Sequence, residues 1–342
     1  MTESGGAAME NSAGPVRRPT IMEVAKAAGV SHQTVSRFLR SETGMKPATR
    51  DRVRAAVEQL NYRPNLVARS MRTRRTGRLA VLLPAVTYSP ARMLSGASEA
   101  AHEAGYVLEI LSLPDAGSRT ERMLELAESG QVEGILALAP VDGGVVSRPP
   151  SGAAIVVSPD FDDQMRGIGA LADASPVAEM MEHLAGLGHR RFLHVGGPSQ
   201  FASARARREV YLSSIDRLDL ESAGAVEGDW SGRSGMEAML DLPGDRRPTA
   251  VIAANDVVAA GVVRGAMMRG WRVPEDLSVT GWDNLEAAEY LSPSMSTVDV
   301  DLERIGADAM RRLVAVVRGE VFEPSPTPLN RIIWRESVGP AS

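Results

Sequence analysis

Residues 30–40, VSHQTVSRFLR, carry side chains whose types and spacing define a chemistry. At helical spacing Val35, Phe38 and Leu39 share one face, while His32, Gln33, Ser36 and Arg37 fall on the other, with Ser31 placed as N-cap. Glutamine and arginine on an exposed helical face are the side chains best shaped for bidentate hydrogen bonds to adenine and guanine. The alternative for such a face is plain solvation. The surrounding elements decide between the two.

Three helices are expected between residues 19 and 61. Thr20 and Glu23 have the spacing of a capping box, and the first helix then runs to about Ala28 with Ile21, Val24, Ala25 and Ala28 inward. Gly29 ends it and opens a very short turn before Ser31. Two helices joined so closely, the second bearing the polar stripe, form a helix-turn-helix. The third helix is predicted from about Pro47 to Leu60, with Val53, Val57 and Leu60 inward and Arg50, Arg52 and Arg54 outward. Pro64 then breaks the chain. The segment NLVARSMRTRRTGR, residues 65–78, is amphipathic and too short to hold a helix alone in water.

Charge follows the same division. Residues 1–78 hold fifteen Arg or Lys against six Asp or Glu, whereas the whole chain of 342 residues has a net charge of −5. A small basic module on a large acidic body points to a polyanion met by the module alone. Residues 1–18 contain no apolar run and read as a disordered tail, not a signal peptide, and no stretch approaches membrane-spanning length. Cysteine is absent, which removes disulfides, cysteine–zinc sites and thiol nucleophiles. The expected setting is the cytoplasm.

From residue 79 the pattern alternates strands and helices. RLAVLLPAV, YVLEIL, EGILALAP, AAIVVS, RRFLHVGG, TAVIAAN, LSVTGWD and RIIWRE read as strands, with helices between most of them. This is an α/β core with parallel sheets, long enough for two lobes, and ligands are expected beyond the carboxyl ends of the strands, where VGGP, AAND and GWDN lie.

The segments TIMEVAKAAGVSHQTVSRFLR and TRDRVRAAVEQLNYRPNLVARSMRTRRTGRLAVLLP closely resemble the headpiece and hinge of LacI-type (lactose repressor/galactose repressor) transcriptional regulators. LGHRRFLHVGGP, EGDWSGRSG, VIAANDVVAAGVVRGAMMRGWRVPEDLSVTGWDN and LSPSMSTVDVDLERIG resemble that family's periplasmic-binding-protein-like core. The resemblance spans residues 19 to about 337. It implies an all-α helix-turn-helix headpiece (19–64), a hinge helix and linker (65–78), and a core (79–337) of two Rossmann-like subdomains joined by three crossovers. The first subdomain is expected at about 79–172 and 300–329, the second at about 173–299 and 330–337, with a tail at 338–342. Members of the family are homodimers that bind a pseudopalindromic operator under small-molecule control.

By this resemblance His32, Gln33 and Arg37 are major-groove readers, and Ser31, Thr34, Ser36, Thr49, Tyr62 and Asn65 contact phosphates. Arg40 and Lys46 depart from the family pattern by adding positive charge, and Lys46 replaces the usual serine cap of the third helix. Ala68 and Met71 belong to the hinge, Met71 standing where most members wedge a leucine into the minor groove. In the core, Arg207, Asn255 and Asp283 converge on an effector, with Trp230 as a platform and Asp160, Ser89 and Met93 completing the site. Tyr88 is grouped with Ser89 and Met93 at its entrance. Such groups suit a sugar, although Leu138 and Val300 lie where sugar-responsive relatives often place polar residues. Asp256 is expected to cap the helix after Asn255.

An enzyme is the main rival. The core has no lysine after residue 78, no Gly-x-Ser-x-Gly elbow and no metal-ligand spacing among its histidines, so no catalytic apparatus, metal or cofactor is expected. A second rival, a sugar-binding protein without DNA function, lacks a reason for the basic module. The reading is a repressor released by a sugar-like inducer, with a corepressor-dependent or ligand-independent regulator as the alternative.

Overall fold

The computed structural model describes residues 19–39, 45–62, 75–83, 91–113, 115–138, 141, 152–158, 160–162 and 167–341. The chain forms two compact units, Met1–Thr76 and Gly77–Ser342.

In the first unit, α1 (Ile21–Ala28), α2 (His32–Phe38) and α3 (Pro47–Gln59) pack around Val24, Val35, Phe38, Val53 and Tyr62. The predicted capping box is present: Thr20 Oγ1 accepts from Glu23 N at 3.3 Å, and Thr20 N donates to Glu23 Oε2 at 2.6 Å. Gly29 closes α1 at φ 64°, a left-handed conformation that favours glycine. Ser31 caps α2 by accepting from Thr34 N at 3.2 Å. Lys46 offers α3 no side-chain cap, and Pro47 instead fixes the first helical φ.

The second unit holds two four-stranded parallel sheets. The first has the order β2 (Val107–Ser112), β1 (Arg78–Leu83), β3 (Gly134–Ala137), β4 (Ala154–Val157), with helices α4 (Ala91–Glu103) and α5 (Ala116–Ser129) between its strands. The second has the order β6 (Glu221–Val226), β5 (Arg191–Val195), β7 (Ala250–Ala253), β8 (Ser278–Thr280). Its helices are α6 (Ser175–Gly186), α7 (Ala202–Arg217), α8 (Gly232–Leu240), α9 (Asp256–Met268) and the short α10 (Glu286–Glu289). Then β9 (Thr297–Val300) pairs antiparallel with β10 (Asn330–Ile333), and α11 (Leu302–Arg318) between them packs on α4, β3 and β4.

The chain therefore passes between the subdomains three times: after β4, through β9, and after β10. On the last pass Val279 N donates to Ser337 O, Ser278 and His189 bond Gly339, and Ala341 N reaches Leu187 O. The α4–α11 contact is a backbone-to-backbone approach. A Cβ at Gly96 would overlap the Glu303 carbonyl, and one at Gly306 would overlap that of Met93. Two strands were not expected from the sequence, β6 and β9. β6 is an edge strand, ESAGAV, mostly open to solvent and without apolar alternation.

Candidate functional site: a nucleic-acid-reading helix and a polar cluster at the strand ends

In the headpiece, α2 buries Val35 and Phe38 and leaves His32, Gln33 and Arg37 exposed, so the proposed readers lie together on one open face. Thr34 and Thr49 are half-buried, and Ser31 is exposed at the start of α2 with its hydroxyl 3.0 Å from that of Thr34. Ser36 departs from expectation. It is only 8% exposed, because α2 packs against both α1 and α3 and its buried arc extends past Val35 to the next position. Tyr62 is likewise a core residue, 9% exposed, and burial raises its phenol above the ordinary value. Arg40, Asn65, Ala68, Met71, Tyr88 and Ser89 lie outside the described residues.

In the core, Arg207 is carried on the inner face of α7 and is 7% exposed. Its guanidinium lies 3.8 Å from the Trp282 ring centroid, and Nη1 donates to Ala254 O at 2.5 Å. Burial pulls the guanidinium down to about 10, and the charge of Asp283 opposes that. Asp283 follows Trp282 at φ 95°, with its N–H donating to Val298 O at 2.9 Å. The residue keeps open surface although protein atoms crowd its carboxyl. That crowding raises its pKa, while Arg207 and then Arg92 draw it back.

Trp230 (φ 67°) and Asn284 (φ 47°) also adopt left-handed backbone. Three non-glycine residues in this conformation thus flank the ends of β6 and β8, the pattern expected where a site over-determines its backbone. The Trp230 ring lies directly on Gly197, leaving no room for a Cβ there, and meets Phe201 edge-on at 5.4 Å.

Asn255, not Asp256, caps α9: its Oδ1 accepts from Val258 N at 2.8 Å, and Nδ2 donates to Trp230 O at 3.4 Å. Asp256 occupies the first helical position. It accepts from Thr297 Oγ1 at 2.6 Å and Leu285 N at 2.8 Å, tying α9 to β9. Burial pushes its carboxyl up to about 6, with Asp283 adding to the rise against the two hydrogen bonds.

Arg207, Asp283, Asn255 and Trp230 are thus all placed at the carboxyl ends of the second sheet. Two other expected residues are not with them. Met93 is 2% exposed and packs under α11 against Gly306, so it cannot line an entrance. Asp160 accepts from Ser158 Oγ at 2.9 Å and lines a separate cavity with Arg304, Asp308 and Phe322. Leu138 and Val300 are buried core residues, which accounts for their apolar character. Trp282, the floor beneath Arg207, was missed. Its signal was an aromatic residue beside Asp283 in the strand-end segment GWDN.

Beneath this cluster His194 is 1% exposed, with Nδ1 2.9 Å from Ile252 O, so that nitrogen carries the proton and donates. Burial pulls its pKa down to about 4, and Arg207 and Arg208 add to the fall. His194 favours folding when neutral, a contribution fully present above pH ~6.5 and lost as pH falls toward ~4. Asp256 acts oppositely, favouring the fold when protonated, below pH ~3.8, and losing that as pH rises through ~6. Across pH 4–6 the two therefore offset one another. His194→Phe removes the first effect and keeps the second, so the stability of the variant relative to native rises on acidification, by up to about 1.4 kcal/mol per pH unit. Urea unfolding of both proteins at several pH values checks this; a pH-independent difference contradicts it.

Family models match the chain twice: the description "Bacterial regulatory proteins, lacI family" covers residues 20–65, and "Periplasmic binding protein-like domain" covers residues 181–338. The catabolite control protein A of Priestia megaterium is 30% identical over 329 residues, covering 93% of this chain and 99% of the relative. The lactose operon repressor of Escherichia coli is 28% identical, covering 89% and 86%. Among solved structures, the lac repressor dimer bound to operator and the anti-inducer ONPF superposes with a TM-score of 0.71 at 25% identity, covering 94% of this chain and all of that one. A CelR–cellobiose complex gives 0.58 at 28% identity, with coverage of 94% and 100%.

A helix-turn-helix unit joined to a two-lobed α/β core defines a ligand-responsive DNA-binding regulator. The chain belongs to the LacI family of bacterial regulatory proteins. Among the described residues no helix is long and apolar enough to cross a membrane.

Proposed function

We propose that this chain is a homodimeric repressor in the cytoplasm that binds a pseudopalindromic operator through α2 of each headpiece and lets go when a sugar occupies the Arg207–Asp283 cluster. The observation that carries the reading is the open face of His32, Gln33 and Arg37 on the second helix of a capped helix-turn-helix. Two such faces on a two-fold dimer read two half-sites. Ser31, Thr34 and Thr49 take phosphates around them, while Asn65, Ala68 and Met71 serve the hinge. A dimer on operator is what the lac repressor structure named above contains, and cellobiose is what the CelR structure contains. No enzymatic step is assigned.

The core cluster fits an uncharged polyol. Arg207 faces Asp283, and nearby Arg92 is already matched by Glu303 and Asp299, so both guanidinium groups have carboxylate partners. A uronate or sugar phosphate therefore meets no surplus positive charge, whereas hydroxyls find both donors and acceptors, with Trp230 for an apolar ring face. Thermal-shift screening of neutral mono- and disaccharides beside uronates and sugar phosphates tests this, followed by DNA release with each hit. The expected result is stabilisation by a neutral sugar that also weakens DNA binding. A uronate or phosphate hit overturns the ligand class, and a hit that tightens DNA binding reverses the sign to corepression.

A further inference from the structure

We propose that Arg92 is the first subdomain's contribution to the effector site, a positioning residue for Asp283 whose outer edge faces a ligand seated on Asp283 and Arg207. This deepens the effector reading above and rests on it.

The placement begins with glycine. Because α4 and α11 touch backbone to backbone at Gly96 and Gly306, Arg92, one turn before Gly96, is brought against the first turn of α11. There Nε donates to both carboxylate oxygens of Glu303, at 2.8 and 3.0 Å, and Nη2 reaches Asp299 Oδ1 at 3.2 Å. Asp299 belongs to β9, and the carbonyl of the preceding residue, Val298, accepts from Asp283 N at 2.9 Å. Two hydrogen bonds to adjacent residues of one strand thus join an N-subdomain guanidinium to the backbone of a C-subdomain carboxylate.

The electrostatics agree with that geometry. Burial raises the Asp283 carboxyl, and Arg207 and then Arg92 draw it back toward its charged form. The neighbouring Asp256 is the like charge in the same group. Arg92 itself is fixed in its charged form, chiefly by the Glu303 hydrogen bond. Its side chain is 37% exposed, and among the described residues its Nη1 has no hydrogen-bond partner. One edge of the fork is anchored on α11 and β9, and the other is unpaired among the described residues. Asp283 thus feels guanidinium charge from both subdomains, Arg207 on α7 and Arg92 through its seat on Asp299 and Glu303.

The test needs no effector. In the full-length protein labelled with 13Cγ-aspartate, the Asp283 carboxyl is assigned by its loss in Asp283→Asn and then titrated. Replacing Arg92 by Met or by Gln removes the charge, and either variant should raise the Asp283 pKa by about half a unit or more. Arg92→Lys, which keeps the charge but not the fork, should restore most of the shift. An Asp283 titration that is the same in native, Arg92→Met and Arg92→Gln overturns the proposal. Because no ligand enters the measurement, that result would leave the Arg207-based effector reading standing.

Discussion

Arg207→Ala is expected to bind its DNA site with native affinity and to be unresponsive to the sugar that releases the native protein. The guanidinium makes one hydrogen bond among the described residues, to Ala254 O, and lies over the Trp282 ring, which leaves its remaining donors for a ligand. Removing it takes away those donors, uncovers the indole and leaves Asp283 without its nearest cation. Truncating one member of a desolvated charged group typically weakens binding by about 2–5 kcal/mol, a loss of about thirtyfold to several thousandfold in effector affinity. Arg207→Lys should recover little, because a lysine ammonium cannot reproduce the planar fork or the stacked geometry. Isothermal titration of the sugar, with DNA affinity measured on the same preparations, separates the two activities. Equal loss of both would mean that the substitution unfolds the core.

The second large effect concerns the headpiece. Arg37→Ala and Gln33→Ala should each relax specificity at one base position per half-site, at about 1–3 kcal/mol per lost bidentate contact. The double variant should still bind DNA in low salt, since phosphate contacts from the remaining basic residues are untouched and their strength falls steeply with ionic strength. Affinity for a selected operator and for an unrelated duplex, measured at two salt concentrations, distinguishes lost reading from lost binding. Variants that weaken both duplexes equally would make Gln33 and Arg37 phosphate contacts and not readers.

Much of this arrangement was legible in the residues because local signals and tertiary packing agree. Thr20 with Glu23, Gly29 and Ser31 each act within four residues of themselves, so the headpiece helices start and stop where their caps predict. The core alternation was equally plain where strands are buried on both faces, as in β1, β3 and β7. It failed at β6, whose edge position lets Glu, Ser and Gly stand in a strand. Helical spacing puts Ser36 on the open face, but spacing does not show how much of the helix its neighbours cover. Met93 was placed at an entrance by homologous position, but the glycine-mediated contact of α4 with α11, made between residues some 200 apart, buries it. Arg92 carries no local signal for the same reason: its partners Asp299 and Glu303 are distant in sequence, and no local pattern joins them. The order of Asn255 and Asp256 was misjudged because either side chain can cap a helix. Only the buried Thr297 and Leu285 N–H partners show that Asp256 is committed elsewhere.

The central claim is that this chain reads a two-fold symmetric DNA sequence with α2. Selection from a randomised duplex pool with the full-length protein, followed by affinity measurement on the enriched sequence and its half-sites, tests it most directly. The expected result is one enriched pseudopalindrome, bound by a dimer, with base preferences that weaken at a single position per half-site in Arg37→Ala. Enrichment of no sequence, or of an asymmetric site unaffected by Arg37→Ala, would contradict it.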